Sequence, residues 1–236
     1  MRFRLPIGRG LFFLSAFIFC LIALLPLRVA ADWLGLGARG VAAREAKGSI
    51  WLGALIEAQF GTVPLGDLGA QLRTLPLLAG RARIDLSREE EPLRGAVTLF
   101  RKGFGIDDFT GRIATGSLLA PLPVGSIEAT NFTAHFANGQ CARAEGALKA
   151  SLGGNLGGLD LPAAFNGTAR CQGGALLLAL AGPSGMEKLD IFLFEDGRWR
   201  TSFAIRAVSP AAAARLQAGG FRLVGNAYTI EGAGRF

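Results

Sequence analysis

The chain has 236 residues, half of them hydrophobic, and a formal net charge of +7 at pH 7. Four of its 25 basic residues (Arg2, Arg4, Arg9, Arg28) fall within the first 28 positions, which hold no acid, so the remainder sets 21 basic (25 − 4) against 18 acidic residues. That near balance, with no basic patch interleaved with aromatics, excludes a nucleic-acid-binding class.

The N-terminal segment comes first. Leu11 to Leu25 carries no charge, and three arginines precede it. Extended from Gly10 to Leu27 it rises about 27 Å as a helix, just enough for a bilayer core that takes roughly 17–25 residues to cross. Arginines ahead of such a run stay in the cytoplasm. The expected organisation is a cytoplasmic tail at 1–9, a single-pass transmembrane anchor at 10–27, a connector at 28–45 and a periplasmic β-rich domain at 46–236. Val29-Ala30-Ala31 also matches a small-residue cleavage site, so retention of the segment and cleavage after Ala31 both stand open. Cys20 is preceded by Ile18 and Phe19, where a lipid-attachment box requires small residues, and is read as an ordinary residue of the apolar helix.

Gly35, Gly37 and Gly40 match G-x-G-x-x-G, with Glu57 twenty residues beyond Gly37. A dinucleotide site needs a strand before that pattern and a helix after it. Here an anchor precedes it and a strand follows, so the glycines are assigned to the connector.

From Ser49 onward the chain alternates as a strand, with Ile50, Leu52, Ala54, Ile56, Ala58 and Phe60 expected on one face. Residues 72–79 form a short helix or bend before Gly80. Strands are expected at 81–86 and 95–100, separated by a polar turn at 87–92, then at 109–114, 125–136 and 143–152. Asp196-Gly197 signals a hairpin within residues 188–205. A two-residue turn there would set Phe194 opposite Trp199 and Phe192 opposite Thr201. Ser209-Pro210 before four alanines specifies an N-cap, a proline at the first helical position and a short helix ended by Gly219-Gly220. A last hairpin turns at Gly225-Asn226, with Leu223 opposite Tyr228. The fold class is therefore mainly β: an antiparallel sheet, curved or folded over as a sandwich, with one or two short helices behind the N-terminal anchor.

Few residues invite chemistry. His135 is the one histidine and is read as a surface or edge-strand residue. A multi-histidine metal site is excluded, and no G-x-S-x-G elbow supports a catalytic triad. Glu89-Glu90-Glu91 and Asp107-Asp108 are assigned to solvated turns. Asn131 and Asn166 begin glycosylation sequons by pattern alone. No catalytic residue, metal ligand or cofactor site is assigned, and the chain is expected not to be an enzyme. Cys141 and Cys171 fall on the translocated side. Two cysteines in an oxidising compartment pair, so a structural disulfide is expected there.

The most distinctive short segment is Gly48-Ser49-Ile50-Trp51-Leu52-Gly53. With it, the chain resembles protein N of the bacterial type II secretion system, whose members carry a G-[ST]-[IVL]-W-x-G segment shortly after a membrane anchor. Gly48, Ser49, Ile50, Trp51 and Gly53 match that segment. A leucine-rich tract ending in Gly-Arg is matched by residues 72–81, and a closing G-F…G-x-x-Y-x-I-x-G-x-G pattern by Gly220, Phe221, Gly225, Tyr228, Ile230, Gly232 and Gly234. Family members commonly carry a tryptophan just before the leucine-rich tract, where this chain has Ala70 or a neighbour. The resemblance implies a non-enzymatic inner-membrane component of the machinery that exports folded proteins across the outer membrane. Its implied partners are other inner-membrane components of that machinery and the secretin. The closing pattern also resembles AsmA-like envelope proteins, which implies as an alternative a lipid-handling role that would need a continuous apolar groove.

Overall fold

The computed structural model describes residues 7–33, 35, 37, 40–61, 63–88, 92–116, 118–120, 122, 124–153, 155–156, 159–160, 162–206 and 209–235. Two helices lead, α1 (Ile7–Ala23) and α2 (Leu27–Trp33). Strands β1 (Val41–Ala42), β2 (Glu45–Gly48), β3 (Gly53–Phe60) and β4 (Val63–Arg73) follow, so sheet pairing begins inside the expected connector. After α3 (Thr74–Leu78) come β5 (Ala82–Arg88), β6 (Leu93–Phe100), β7 (Gly103–Ala114), β8 (Val124–Ala137) and β9 (Gln140–Leu152). The chain continues through β10 (Asn155–Leu156), β11 (Leu159–Asp160), β12 (Ala164–Gln172), β13 (Ala175–Ala181), β14 (Glu187–Leu193) and β15 (Arg198–Ile205). Helix α4 (Pro210–Ala218) then precedes β16 (Arg222–Val224) and β17 (Ala227–Arg235).

Fifteen strands form one sheet in the order β1-β3-β4-β5-β6-β7-β8-β9-β12-β13-β14-β15-β17-β16, with β2 also paired to β3. β10 and β11 pair apart as a two-stranded ribbon. The pairings are antiparallel, as a chain of short strands joined by glycine turns requires. The sheet is curved. Phe165 on β12 and Phe203 on β15 stand three strands apart, about 14 Å in a flat sheet, yet their ring centroids are 5.8 Å apart.

The apolar face of the sheet carries the core. Between β8 and β17 it is filled: Leu148, Ala150, Phe165, Leu178, Leu189, Ile191 and Phe203 pack with Leu216 of α4, with Phe221, with Val124 at the start of β8 and with Leu119 and Leu122 from the β7–β8 connection. A smaller cluster of Ala58, Leu68 and Leu93 lies under the N-terminal strands. Ser209 caps α4 as expected, accepting the Ala212 N–H at 3.2 Å, with Pro210 at the first helical position.

The single anchor helix expected over residues 10–27 does not form. α1 has 17 residues, about 25 Å of helix. Among the described residues no helix is long and apolar enough to cross a membrane. Pro26 is the physical cause. It lacks an N–H, and its ring disfavours helical backbone at Leu25. The sheet uses the break: the Leu25 carbonyl accepts the Ile50 N–H at 3.1 Å, and Pro26 makes a bridge to Ser49.

Two strand registers also differ from expectation. The alternation from Ser49 is interrupted, because residues 49–52 are a turn and Glu57 takes a left-handed φ of 50° at a bulge in β3. The bulge brings Leu55 and Ala58 into one cluster, and Asp67 Oδ1 accepts the displaced Glu57 N–H at 2.8 Å. In the β14–β15 hairpin the turn takes three residues, 195–197, with Gly197 at φ 82°. Leu193, not Phe194, pairs with Trp199, and Ile191 pairs with Thr201. One extra turn residue shifts the register by one, which exchanges the two faces of β14. Leu189 and Ile191 are buried, while Phe192 lies opposite Arg200. The β16–β17 hairpin turns at Gly225-Asn226 and pairs Leu223 with Tyr228, as expected.

Candidate functional site

Gly48-Ser49-Ile50-Trp51-Leu52-Gly53 forms the connection between β2 and β3, whose pairing closes at Gly48 and Gly53. Inside it the Ser49 N–H donates to the Leu52 carbonyl at 3.2 Å. The Leu52 N–H in turn donates to the Ser49 hydroxyl at 3.3 Å. Gly48 holds φ 78°, and a Cβ there would stand 2.4 Å from the Leu52 carbonyl oxygen, so only glycine enters this turn without strain.

The turn is held from two sides. Toward the sheet, the Ile50 carbonyl accepts the Leu72 N–H at 3.0 Å, where β4 runs into the leucine-rich tract. Toward the N-terminus, the Ile50 N–H reaches Leu25, and the Trp51 indole Nε1 donates to the Ile22 carbonyl at 3.1 Å. Ile22 lies in the last turn of α1, where carbonyls lose their intrahelical partners, so Trp51 caps that helix from a distance of 29 residues. A Cβ on Gly53 would lie 2.6 Å from the Leu27 side chain and 2.8 Å from the Ser49 carbonyl, so the missing side chain makes room for the start of α2. Ser49, Ile50, Trp51 and Gly53 thus meet the α1–α2 junction, while Gly48 shapes the turn that presents them.

A second polar constellation lies on the opposite, charged face. His135 Nε2 is 2.6 Å from Asp107 Oδ1, and Thr98 donates to Asp107 Oδ2 at 2.5 Å. Arg83 lies 3.6 Å from both Asp107 and Asp108 and 3.2 Å from Asp85, which also pairs with Arg73 at 2.5 Å. Burial raises the Asp107 carboxyl. The hydrogen bonds from Thr98 and His135 and the charges of His135 and Arg83 outweigh burial, so it titrates below the usual carboxylate range. The open hollow beside this group, about 500 Å³, is lined by Arg73, Arg83, Asp85, Arg94 and Asp108.

This cluster corrects two assignments. Asp107 and Asp108 are not in a turn: they sit in β7 at a bulge, where Asp108 has φ 51° and its N–H donates to Thr133. Of the two readings of His135, the edge strand is overturned, since it lies in β8 between β7 and β9, while its side chain stays partly exposed. The Thr98 hydroxyl and the His135 ring are both engaged with the Asp107 carboxylate. Among the described residues no three His, Cys, Asp or Glu side chains gather as metal ligands.

The remaining candidates fall as follows. Cys141 and Cys171 form a disulfide with Cα atoms 5.5 Å apart, tying β9 to β12 beyond their last paired residues, Ala147 and Thr168. Cys20 is free and exposed on α1. Gly35, Gly37 and Gly40 lie between α2 and β1, outside any strand–glycine–helix unit, and Glu57 pairs with Arg44 at 3.0 Å. Asn131 occupies a bulge in β8 at φ 49°, and Asn166 lies within β12. Glu89, Glu90 and Glu91 lie outside the described residues. Of the closing pattern, Gly234 admits the Trp199 indole to 2.5 Å from where a Cβ would stand, and Phe221 is buried. Sequence reasoning missed Ile22, Leu25 and Leu27 as partners of the motif. Pro26 inside the apolar run was the available signal.

An apolar helix fastened by a glycine–tryptophan turn to one long antiparallel meander defines a class: a curved β domain with a built-in N-terminal helical attachment. Residues 39–228 match the family of type II secretion system (T2SS), protein N. The chain belongs to that family. The match takes in the motif turn, the leucine-rich tract and most of the sheet. No curated protein and no solved structure matches the chain.

Proposed function

We propose that this chain is a non-enzymatic component of the type II secretion machinery, attached to the inner membrane by α1 and presenting its sheet on the periplasmic side. The family match over residues 39–228 carries the secretion role. Attachment through α1 is supported by its surface, where Leu11, Phe12, Phe13, Phe17 and Phe19 are each more than 60% exposed. The Cys141–Cys171 disulfide agrees with an oxidising compartment.

The partner reading follows from the sheet edges. A strand edge recruits partner strands by backbone pairing, with side-chain pockets setting specificity. The described edges are β1 with β2 on one side and β16 on the other, and β16 exposes Leu223 and Val224. Partners are other inner-membrane components of the machinery and the secretin. The lipid-handling alternative needs an apolar groove along the whole sheet, and the filled core between β8 and β17 interrupts one.

The test is deletion with complementation. Loss of the gene is expected to lower secretion of folded exoproteins while their periplasmic pool rises, and the intact chain restores export. Normal export accompanied by altered envelope permeability would overturn the secretion role and favour lipid handling.

A further inference from the structure

The α1–α2 junction meets one particular end of the sheet. Three turns stand together there. The motif turn comes first. Next is α3, which starts two residues beyond the Leu72–Ile50 hydrogen bond. The third is the β6–β7 turn, brought alongside by the pairing of Ala82 with Leu99.

This end is apolar where it faces outward. Leu52, Leu75 and Leu78 are 69%, 78% and 88% exposed, and α3 buries none of its residues. Leucines held this far out on a five-residue helix do nothing for the core. The same end is basic: Arg81 follows α3, and Arg101-Lys102 form the neighbouring turn, each exposed. The nearest described acidic turn at this end, Glu195-Asp196, lies beyond β14, seven strands along from β5.

We propose that this end of the sheet is a membrane-contact surface, with Leu52, Leu75 and Leu78 entering the headgroup region of an anionic bilayer while Arg81, Arg101 and Lys102 meet the lipid phosphates. Apolar side chains ringed by basic ones are the pattern of interfacial binding. The occupant is fixed by continuity, since Trp51 and Ile50 join this end directly to the last turn of α1. The inference rests on α1 being in the bilayer. It adds that the sheet lies down on the membrane by its α3 end instead of swinging from a flexible tether. The opposite end, with the β16–β17 turn, then points away from the bilayer.

The test uses the full-length chain in vesicles of phosphatidylethanolamine and phosphatidylglycerol, with a fluorophore on single free cysteines and a headgroup-level nitroxide lipid as quencher. Native Cys20 reports α1. Leu75→Cys and Leu78→Cys, each with Cys20→Ser, report the α3 end. Val224→Cys with Cys20→Ser reports the far end. Quenching at 20, 75 and 78 but not at 224, weakened at 75 and 78 by high salt or by omitting phosphatidylglycerol, is the expected result. Quenching at 20 without quenching at 75 and 78 overturns the contact surface and leaves attachment by α1 standing. No quenching at 20 overturns attachment by α1, and the contact surface with it.

Discussion

The indole nitrogen of Trp51 donates to the carbonyl oxygen of Ile22, joining the β2–β3 turn to the end of α1. Removing the donor while keeping an aromatic ring isolates that bond. Trp51→Phe is expected to cost about 1 kcal/mol, the usual net worth of one hydrogen bond. It should also raise proteolytic cleavage between Leu24 and Asp32 more than cleavage within the sheet. Limited proteolysis with mass mapping checks this. Uniform cleavage along the chain would show that Trp51 does not hold the junction.

Gly48 and Gly53 are required for different reasons. Gly48→Ala forces an alanine into φ 78° against the Leu52 carbonyl, and Gly53→Ala pushes against Leu27 and Ser49. Each is expected to destabilise by about 1–3 kcal/mol, as strained backbone and overpacking do. For Gly53→Ala, the second change Leu27→Ala should recover part of the loss, because the side chain it meets is then gone. Thermal unfolding of the three variants measures it.

The disulfide closes a loop of 30 residues in separation. Replacing Cys141 and Cys171 with serine is expected to remove roughly 3.5 kcal/mol by the chain-entropy model. The drop in melting temperature should match that produced by reducing the native protein. A large loss in the double serine variant with none on reduction would assign the effect to packing and not to the cross-link.

Asp107 is expected to give the fold a pH dependence whose sign follows from its surroundings. Its folded carboxyl titrates below the usual range. The stability it contributes is therefore fully present above the ordinary carboxylate pKa and is lost as pH falls through its lowered folded value. Asp107→Asn is expected to be less stable than the native chain at pH 7, with the gap closing under acid. Asp190 has the opposite sign: burial raises its pKa, against the pull of Arg170 and Lys188. Its ionised form is thus a liability that grows as pH rises through that raised value, and Asp190→Asn should stabilise the chain at pH 7 but not in acid. Denaturant midpoints across the acid range read both.

The hairpin register is open to direct test. Ile191 is buried beside Leu189 and Phe203, while Phe192 lies on the other face. Ile191→Ala is expected to cost about 2–5 kcal/mol, and Phe192→Ala distinctly less. The reverse order would restore the two-residue turn and the pairing of Phe194 with Trp199.

Much of this architecture was legible in the chain because it depends on local chemistry. Glycine spacing and alternation specify short antiparallel strands. Ser209-Pro210 specifies the start of α4. Gly225-Asn226 specifies a two-residue turn, and its register followed. Asp196-Gly197 carried the same signal, yet the turn took a third residue, Glu195. Burial of Leu189 and Ile191 against Phe203 chose between two locally acceptable registers.

The sequence by itself determined that this is a mainly β chain behind an apolar, arginine-led helix, with two cysteines available to pair and a glycine–tryptophan segment typical of its family. Periodicity, turn residues and charge are local, and they need no partner to be read. Only the tertiary structure decided what that segment does, because its work lies in contacts across long stretches of chain. Trp51 reaches Ile22, Ile50 reaches Leu25 and Leu72, and Gly53 makes room for Leu27. It also decided that Pro26 ends the apolar helix at the sheet, and that His135 and Asp107, 28 residues apart, share one hydrogen bond. A residue's neighbours across a sheet follow from register, and register is settled by packing of the whole face.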